Sequence, residues 1–279
     1  MGKVLVTDTH LTNIANAIRS KNGTSNTYKP SEMASAIENI ETGGTGGGGT
    51  GEKYAPRRIS FEGCTATELD YEVANLDTRN VTSFKEMFRD CVNVANLSVN
   101  HFKTNNVTDF SYTFYKTAIT TLDISNWNFE NATKIIALLS GCTNLTTVNL
   151  GEFKNEIATS CADMFYNNAK LTSVDLSEFV GTNVTSCSNM FYNDAAITSI
   201  DLRSFNPTKL TNINYMLYKC SKLKHLDVRS LDISNLTNSS SFNVNVPSNC
   251  EIIVKDDTQK TWWTGKNFTN VKTVAELEA

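Results

Sequence analysis

The sequence has little of what enzymes and metal proteins are built from. It carries 3 histidines and 7 cysteines in 279 residues, and the cysteines stand apart from one another. No Cys-x-x-Cys pair and no Cys/His ligand spacing occurs, which excludes the common zinc sites. No G-x-G-x-x-G or P-loop pattern occurs either, because the Gly run at 46–49 lacks a following Lys. His10, His101 and His225 lie far apart and belong to no nucleophile or metal motif. No apolar run approaches the roughly 18 residues that span a bilayer. The opening MGKVLVTDTH has no apolar signal core. Charged residues make up 19% of the chain, below the roughly 25% of average domains. The net charge of −4 leaves no basic excess for nucleic acid. The reading is a protein that is not an enzyme, with no cofactor, no metal and no membrane insertion.

Asparagine and threonine fill the gap and make up about a quarter of the residues. One stretch, GGTGGGGTG at 43–51, cannot hold regular structure and reads as a flexible tether. It separates a head over 1–42 from a body over 52–279. In the head, Leu11, Ile14, Ala15 and Ile18 follow the i, i+3, i+4, i+7 spacing of a helix, which Asn22-Gly23 stops. Pro30 suits a first helical turn, after which Met33, Ala36, Ile37 and Ile40 form a second stripe. Two helices of this size cannot build a stable core alone. Leu11, Ile14, Ile18, Met33, Ile37 and Ile40 are therefore expected to anchor the chain or drive its self-association. The segment LTNIANAIRSKNGTSNTYKPSEMASAIENI resembles a short module of phage tail and baseplate structural proteins from Gram-positive hosts. The resemblance covers about 30 residues and implies a homo-oligomer, with a homotrimer favoured as in many tail fibres.

The body repeats. The pairs Met87-Phe88, Thr113-Phe114, Leu138-Leu139, Met164-Phe165, Met190-Phe191 and Met216-Leu217 recur at 25 or 26 residues, and Phe242 opens a degenerate copy. A second column runs Leu76, Phe102, Trp127, Phe153, Phe179, Phe205, Leu231 in the same register. A third is threonine in every copy: Thr82, Thr108, Thr133, Thr159, Thr185, Thr211, Thr237. Each copy also carries an L-x-x-L-x-L segment such as LTSVDL at 171–176, whose alternation is strand-like. Apolar residues three and six positions before each Met suit a short helix or 3₁₀ turn, with the threonine as its cap. One strand and one helical turn per 26 residues predicts an α/β leucine-rich-repeat-like solenoid with one parallel sheet. Seven to nine rungs would stack about 4.8 Å apart. RRISFEGC (57–64) is expected to cover the first rung. The segment 251–279 is expected to cap the last, as strand, Asp-capped helical turn and strand. The pattern LTSVDLSEF…NVTSCSNMFYN resembles the BspA-type leucine-rich repeats over about 68–245.

Repeat position accounts for the cysteines. Cys91, Cys142 and Cys220 share one core position, and Cys161 and Cys187 share another. They read as buried fillers; a disulfide between Cys161 and Cys187 is the alternative. Two surface columns remain. Asp123, Asn149, Asp175, Asp201 and Asp227 line the solvent side of the strands, with Thr121, Thr147, Ser173, Ser199 and His225 beside them. They could bind sugar hydroxyls or a protein ligand, or bond locally to the turns after each strand. Tyr115, Tyr166, Tyr192 and Tyr218 form a second column, suited to a saccharide or to shielding the core edge. The candidate ligand residues are Ser173, Asp175, Ser199, Asp201, His225 and Asp227, with Tyr166 and Tyr192 as the rival set. The two resemblances together imply a phage virion protein of the tail tip, baseplate or fibre, made in the host cytoplasm. Its partners would be other virion proteins through residues 1–42 and a host-surface glycan or protein through the repeats. A purely structural virion protein and a bacterial BspA-like surface adhesin are the alternatives.

Overall fold

The computed structural model describes residues 57–64, 73–74 and 76–279. The expected helical module at 1–42 and the Gly-rich linker at 43–51 lie outside the described residues. The account here is of the second of two compact units into which the chain divides, Ala55–Ala279.

The unit is a solenoid of stacked rungs, as the repeat predicts. Seven parallel strands form one sheet in sequence order: β3 (Thr121–Asp123), β4 (Thr147–Asn149), β5 (Ser173–Asp175), β6 (Ser199–Asp201), β7 (His225–Asp227), β8 (Glu251–Val254) and β9 (Asn270–Thr273). The pairing is strictly in repeat register, Thr121↔Thr147, Ser173↔Ser199↔His225 and Asp175↔Asp201↔Asp227. The strands are short because only three residues per rung lie flat. Their central residues, Leu122, Val148, Val174, Ile200 and Leu226, are buried in the core, and their neighbours, the buried Asp227 excepted, are exposed or half-buried. A second parallel ladder begins with β1 (Arg57–Arg58) and β2 (Val81–Ser83) and continues as single bridges Ser83↔Asp109↔Lys134.

The core is columnar. Met87, Phe88, Phe114, Leu138, Leu139, Met164, Phe165, Met190, Phe191, Met216 and Leu217 are each at most 2% exposed. Phe61, Phe88 and Phe114 stack at 5.4 and 5.5 Å, and Phe129, Phe153, Phe179 and Phe205 at 4.1, 4.9 and 4.8 Å. The repeat puts Phe88 and Phe114, and Phe153, Phe179 and Phe205, one rung apart, so these rings are packed by their own copies, while Phe61 and Phe129 join from outside the two columns. The 57–64 segment covers the first rung as expected. Phe61 lies flat on Phe88, and its N–H bonds Met87 O at 2.6 Å.

At finer grain, the segment expected as a short helix is a run of tight turns. Met87 N–H bonds Phe84 O and Arg89 N–H bonds Glu86 O, each three residues back. The intervening N–H groups leave the segment. Phe84, Glu86, Phe88 and Asp90 donate to Asp109, Ser111, Thr113 and Tyr115 O of the next rung, at 2.8–3.0 Å. The same wiring recurs one rung on, from Phe110, Tyr112, Phe114 and Lys116. Left-handed residues enable it: Glu86, Tyr112, Ala137, Asp163, Asn189, Tyr215 and Ser241 form one positive-φ column. Asp90, Lys116, Gly141, Asn167, Asn193, Lys219 and Asn245 form another. A helix would keep every N–H inside its own segment; stacking offers half of them a carbonyl on the neighbouring rung.

The threonines do not cap these turns. The hydroxyls of Thr108, Thr133, Thr185, Thr211 and Thr237 donate to the carbonyl of the preceding threonine, at 3.0–3.3 Å. Two residues earlier, Asn106, Asn131, Asn183 and Asn235 donate Nδ2 to carbonyls one rung back, at 2.6–3.3 Å. The recurrent Asn-x-Thr triplet is therefore a double staple between rungs.

The C-terminal cap follows the expected order. β8 leads to α1 (Asp257–Thr264), N-capped by Asp256 accepting from Gln259 N–H at 3.0 Å, and then to β9 and α2 (Val274–Leu277). Trp263 is buried and Trp262 is half-buried, the latter under Lys266 at 4.9 Å. Gln259 reaches back with Nε2 to Leu231 O at 2.7 Å, which closes the end of the Phe column. The seven cysteines are free; Cys161 and Cys187 are buried and unbonded.

Candidate functional site on the strand face

The register gathers Ser173, Asp175, Ser199, Asp201, His225 and Asp227 onto three adjacent strands, β5, β6 and β7. They form one patch, but not a uniform one. Each acidic or amide residue first closes its own turn. Oδ1 of Asp123, Asn149, Asp175, Asp201 and Asp227 accepts the N–H two residues on, at 3.0–3.2 Å. This is the local bond that the sequence left as an alternative, and it is present in every strand from β3 to β7.

What remains differs from rung to rung. Asp175 is exposed and its Oδ2 has no hydrogen bond among the described residues. Asp201 is half-buried and forked by the Arg203 guanidinium. Burial pulls its carboxyl upward, yet the hydrogen bonds from Arg203 outweigh that and hold it below the usual range. Asp227 corrects the expectation of a solvent-facing column. It is 2% exposed, with Oδ2 against Arg229 at 2.6 Å. His225 is no free surface histidine either: its Nδ1 lies 2.9 Å from Glu251 Oε2, and Glu251 also holds Lys272 at 2.7 Å. Hydrogen bonds from Lys272 and then His225 hold the Glu251 carboxyl down.

The partners Arg203, Arg229, Glu251 and Lys272 were not singled out in the sequence. Two of them carried a signal. Arg203 and Arg229 stand two after the Asp, where other rungs have Ser125, Gly151 and Ser177. An Arg at that spacing folds onto the carboxylate beside it.

The open part of the face therefore lies toward the N-terminal side. Thr121, Asp123, Thr147, Asn149, Ser173 and Asp175 are all exposed on β3, β4 and β5. The hydroxyls of Thr121, Thr147, Ser173 and Ser199 make no hydrogen bond among the described residues. A shallow groove of about 310 Å³ adjoins this row, lined by Asn96, Ser98, Asn100, Thr121 and Asp123. A larger groove of about 660 Å³ lies at the cap, lined by Arg229, Asp232, Lys255, Asp256 and Gln259 among others.

Tyr166 and Tyr192 belong to the turn-side ladder and not to this patch. Tyr166, Tyr192 and Tyr218 stack face to face at 4.8 and 4.7 Å. Tyr192 has both faces covered by its neighbours, and Tyr166 and Tyr218 have one each, so most of the row's ring faces are already used and it offers chiefly edges and hydroxyls. Among the described residues no group of three or more His, Cys, Asp or Glu side chains is placed to hold a metal ion.

The family model described as "Mycoplasma protein of unknown function, DUF285" matches residues 60–153 and again 133–254. The chain belongs to this family. No curated protein and no solved structure matches it. The two overlapping DUF285 matches run through the same array as the BspA-type resemblance. Together they span β2 to β8.

Proposed function

We propose that this DUF285 solenoid is a recognition module that binds an extended ligand along its strand face. The observation that carries the reading is the row of unbonded hydroxyls on Thr121, Thr147, Ser173 and Ser199, set in register on paired strands. Beside them Asn149 and Asp175 keep a free polar group after closing their turns. A periodic row of donors and acceptors suits a ligand with its own repeat, and a host-surface glycan fits best. Carboxylate acceptors strengthen bonds from sugar hydroxyls.

The setting proposed is a phage virion, at the tail tip, baseplate or fibre, with residues 1–42 anchoring the chain to other virion proteins. The resemblance of LTNIANAIRSKNG to tail modules supports this. A bacterial surface adhesin is the second reading, favoured by the BspA-type pattern.

The test is binding of fluorescently labelled full-length protein to intact host cells. The variant Ser173→Ala/Asp175→Ala should lose most binding while staying folded, since the only bond it removes, from Ser177 N–H to Asp175 Oδ1 on the surface, contributes about 0.5–1.5 kcal/mol. The variant Tyr166→Ala/Tyr192→Ala, if folded, should keep it. The reverse pattern moves the site to the turn side. Unchanged binding in both variants removes these rungs from the site.

A further inference from the structure

One core column breaks the rule of the others. The position four residues after the Met holds Cys91, Thr117, Cys142, Asn168, Asp194 and Cys220 in successive rungs, all buried. The cysteine rungs close simply: the thiols of Cys91, Cys142 and Cys220 donate to Phe61, Phe114 and Phe191 O, at 3.2, 2.9 and 3.1 Å. In the Thr117 rung the backbone N–H and the hydroxyl both donate to Phe114 O. The two middle rungs are wired to each other instead. Asn168 Nδ2 takes Phe165 O at 2.8 Å, where Thr117 uses its own N–H. The displaced Asn168 N–H donates to Asp194 Oδ1 at 2.7 Å.

Two atoms are left over, Asn168 Oδ1 and Asp194 Oδ2. Both are buried and neither has a partner. Both are acceptors while Asp194 is ionised, so neither can satisfy the other. What acts on the Asp194 carboxyl is burial, which pushes it well above its usual range, and the Asn168 N–H bond, which opposes that. No lysine, arginine or histidine among the described residues acts on it. The titratable group facing it from the next rung is the Cys220 thiol, whose proton is committed to Phe191 O. A single proton on Oδ2 removes the buried charge and turns that atom into a donor, the kind of group with which the other leftover acceptor, Asn168 Oδ1, can pair.

We propose that Asp194 is a neutral acid in the folded protein, its Oδ2 proton shared with Asn168 Oδ1, and that this proton is a structural part of the solenoid. The array is then an acid-tightened device. The folded state keeps a proton that the unfolded chain releases above about 3.9. The stability from this group is therefore complete below that value and declines as pH rises. The folding equilibrium constant falls about tenfold per pH unit until the folded-state pKa is reached. Carboxyls held low by their partners, such as Asp201 and Glu251, act with the opposite sign and only in acid, as pH falls through their folded values. The interval from pH 5 to 9 separates the two effects.

The experiment is denaturant unfolding of the full chain at pH 5, 7 and 9, for the parent, Asp194→Asn and Asp194→Thr. Threonine is the occupant of the Thr117 rung and does not titrate. Relative to either variant, the parent should lose folding constant as pH rises above 5, by at most about tenfold per pH unit. A parent-to-variant difference that stays flat across the interval overturns the proposal. A second readout does not need a folded variant. The infrared carbonyl band of a protonated carboxylic acid should persist in the native parent at neutral pH and vanish on unfolding. Its absence from the native parent overturns the proposal equally.

Discussion

At the scale of single residues, this solenoid spends its polar side chains on its own backbone. The Asn-x-Thr triplet is the clearest case. Asn183 Nδ2 bonds Glu156 O at 2.6 Å and Thr185 Oγ1 bonds Thr159 O at 3.0 Å, so each triplet ties its rung to the one before. The apolar columns do the complementary work. Met164 and Phe191 are fully buried, and Met164→Ala and Phe191→Ala should each cost roughly 2–5 kcal/mol in denaturant unfolding. Values near zero for both would mean that the register is wrong. The thiols give a second check. Burial pushes Cys91, Cys142, Cys161 and Cys250 up to about 12, and Cys187 and Cys220 well above the usual thiol range. These six should resist a thiol-specific reagent at pH 8 in the native protein, because the thiolate is the reactive form. Half-buried Cys64 should react first. A second rapid equivalent would place one of the six at the surface.

At the scale of elements, strands and turns are held by bonds between rungs more than within them. Gly151 shows how tight that contact is. Its φ is +61°, and a Cβ there would sit 2.4 Å from Ser125 O of the rung below. Gly63 has a similar φ of +69° but open space around its Cβ position. Gly63→Ala should therefore cost only the left-handed penalty of about 1–2 kcal/mol. Gly151→Ala adds overpacking against backbone, typically about 1–3 kcal/mol more. Equal losses of stability in the two variants would show that the rungs can part at this corner. The same inter-rung logic explains why the apolar three-residue spacing before each Met did not make a helix. The spacing fixes which side chains face inward. Whether an N–H bonds back along the chain or across to the next rung depends on a carbonyl 24 or 25 residues away.

At the scale of the whole molecule, the described unit has a closed core and finished ends. Phe61 covers the first rung and the cap from β8 to α2 covers the last. Such an array needs no partner to bury its apolar columns, so association is expected to come from the head. Light scattering should find full-length protein oligomeric, with a trimer expected, and a 52–279 fragment monomeric. Monomers in both, with no binding to tail proteins, would remove residues 1–42 as an assembly device.

The period alone determined the fold, the inward columns and the gathering of Ser173, Asp175, Ser199, Asp201, His225 and Asp227 on one face, and the caps were legible where the period breaks. It could do so because every copy of a position occupies the same environment when identical rungs stack. Tertiary structure decided how those equivalent positions differ. Asp175 and Asp227 look alike in the sequence, yet one is open and the other lies buried against Arg229. The tyrosines share a column, and only their stacking shows that both faces of Tyr192 and one face each of Tyr166 and Tyr218 are already occupied. Asn168 and Asp194 read as polar residues at a cysteine position, and only their burial leaves two acceptors in want of a proton. The repeat sets the face that a side chain points to. What meets it there belongs to the neighbouring rung, and that neighbour is chosen by packing.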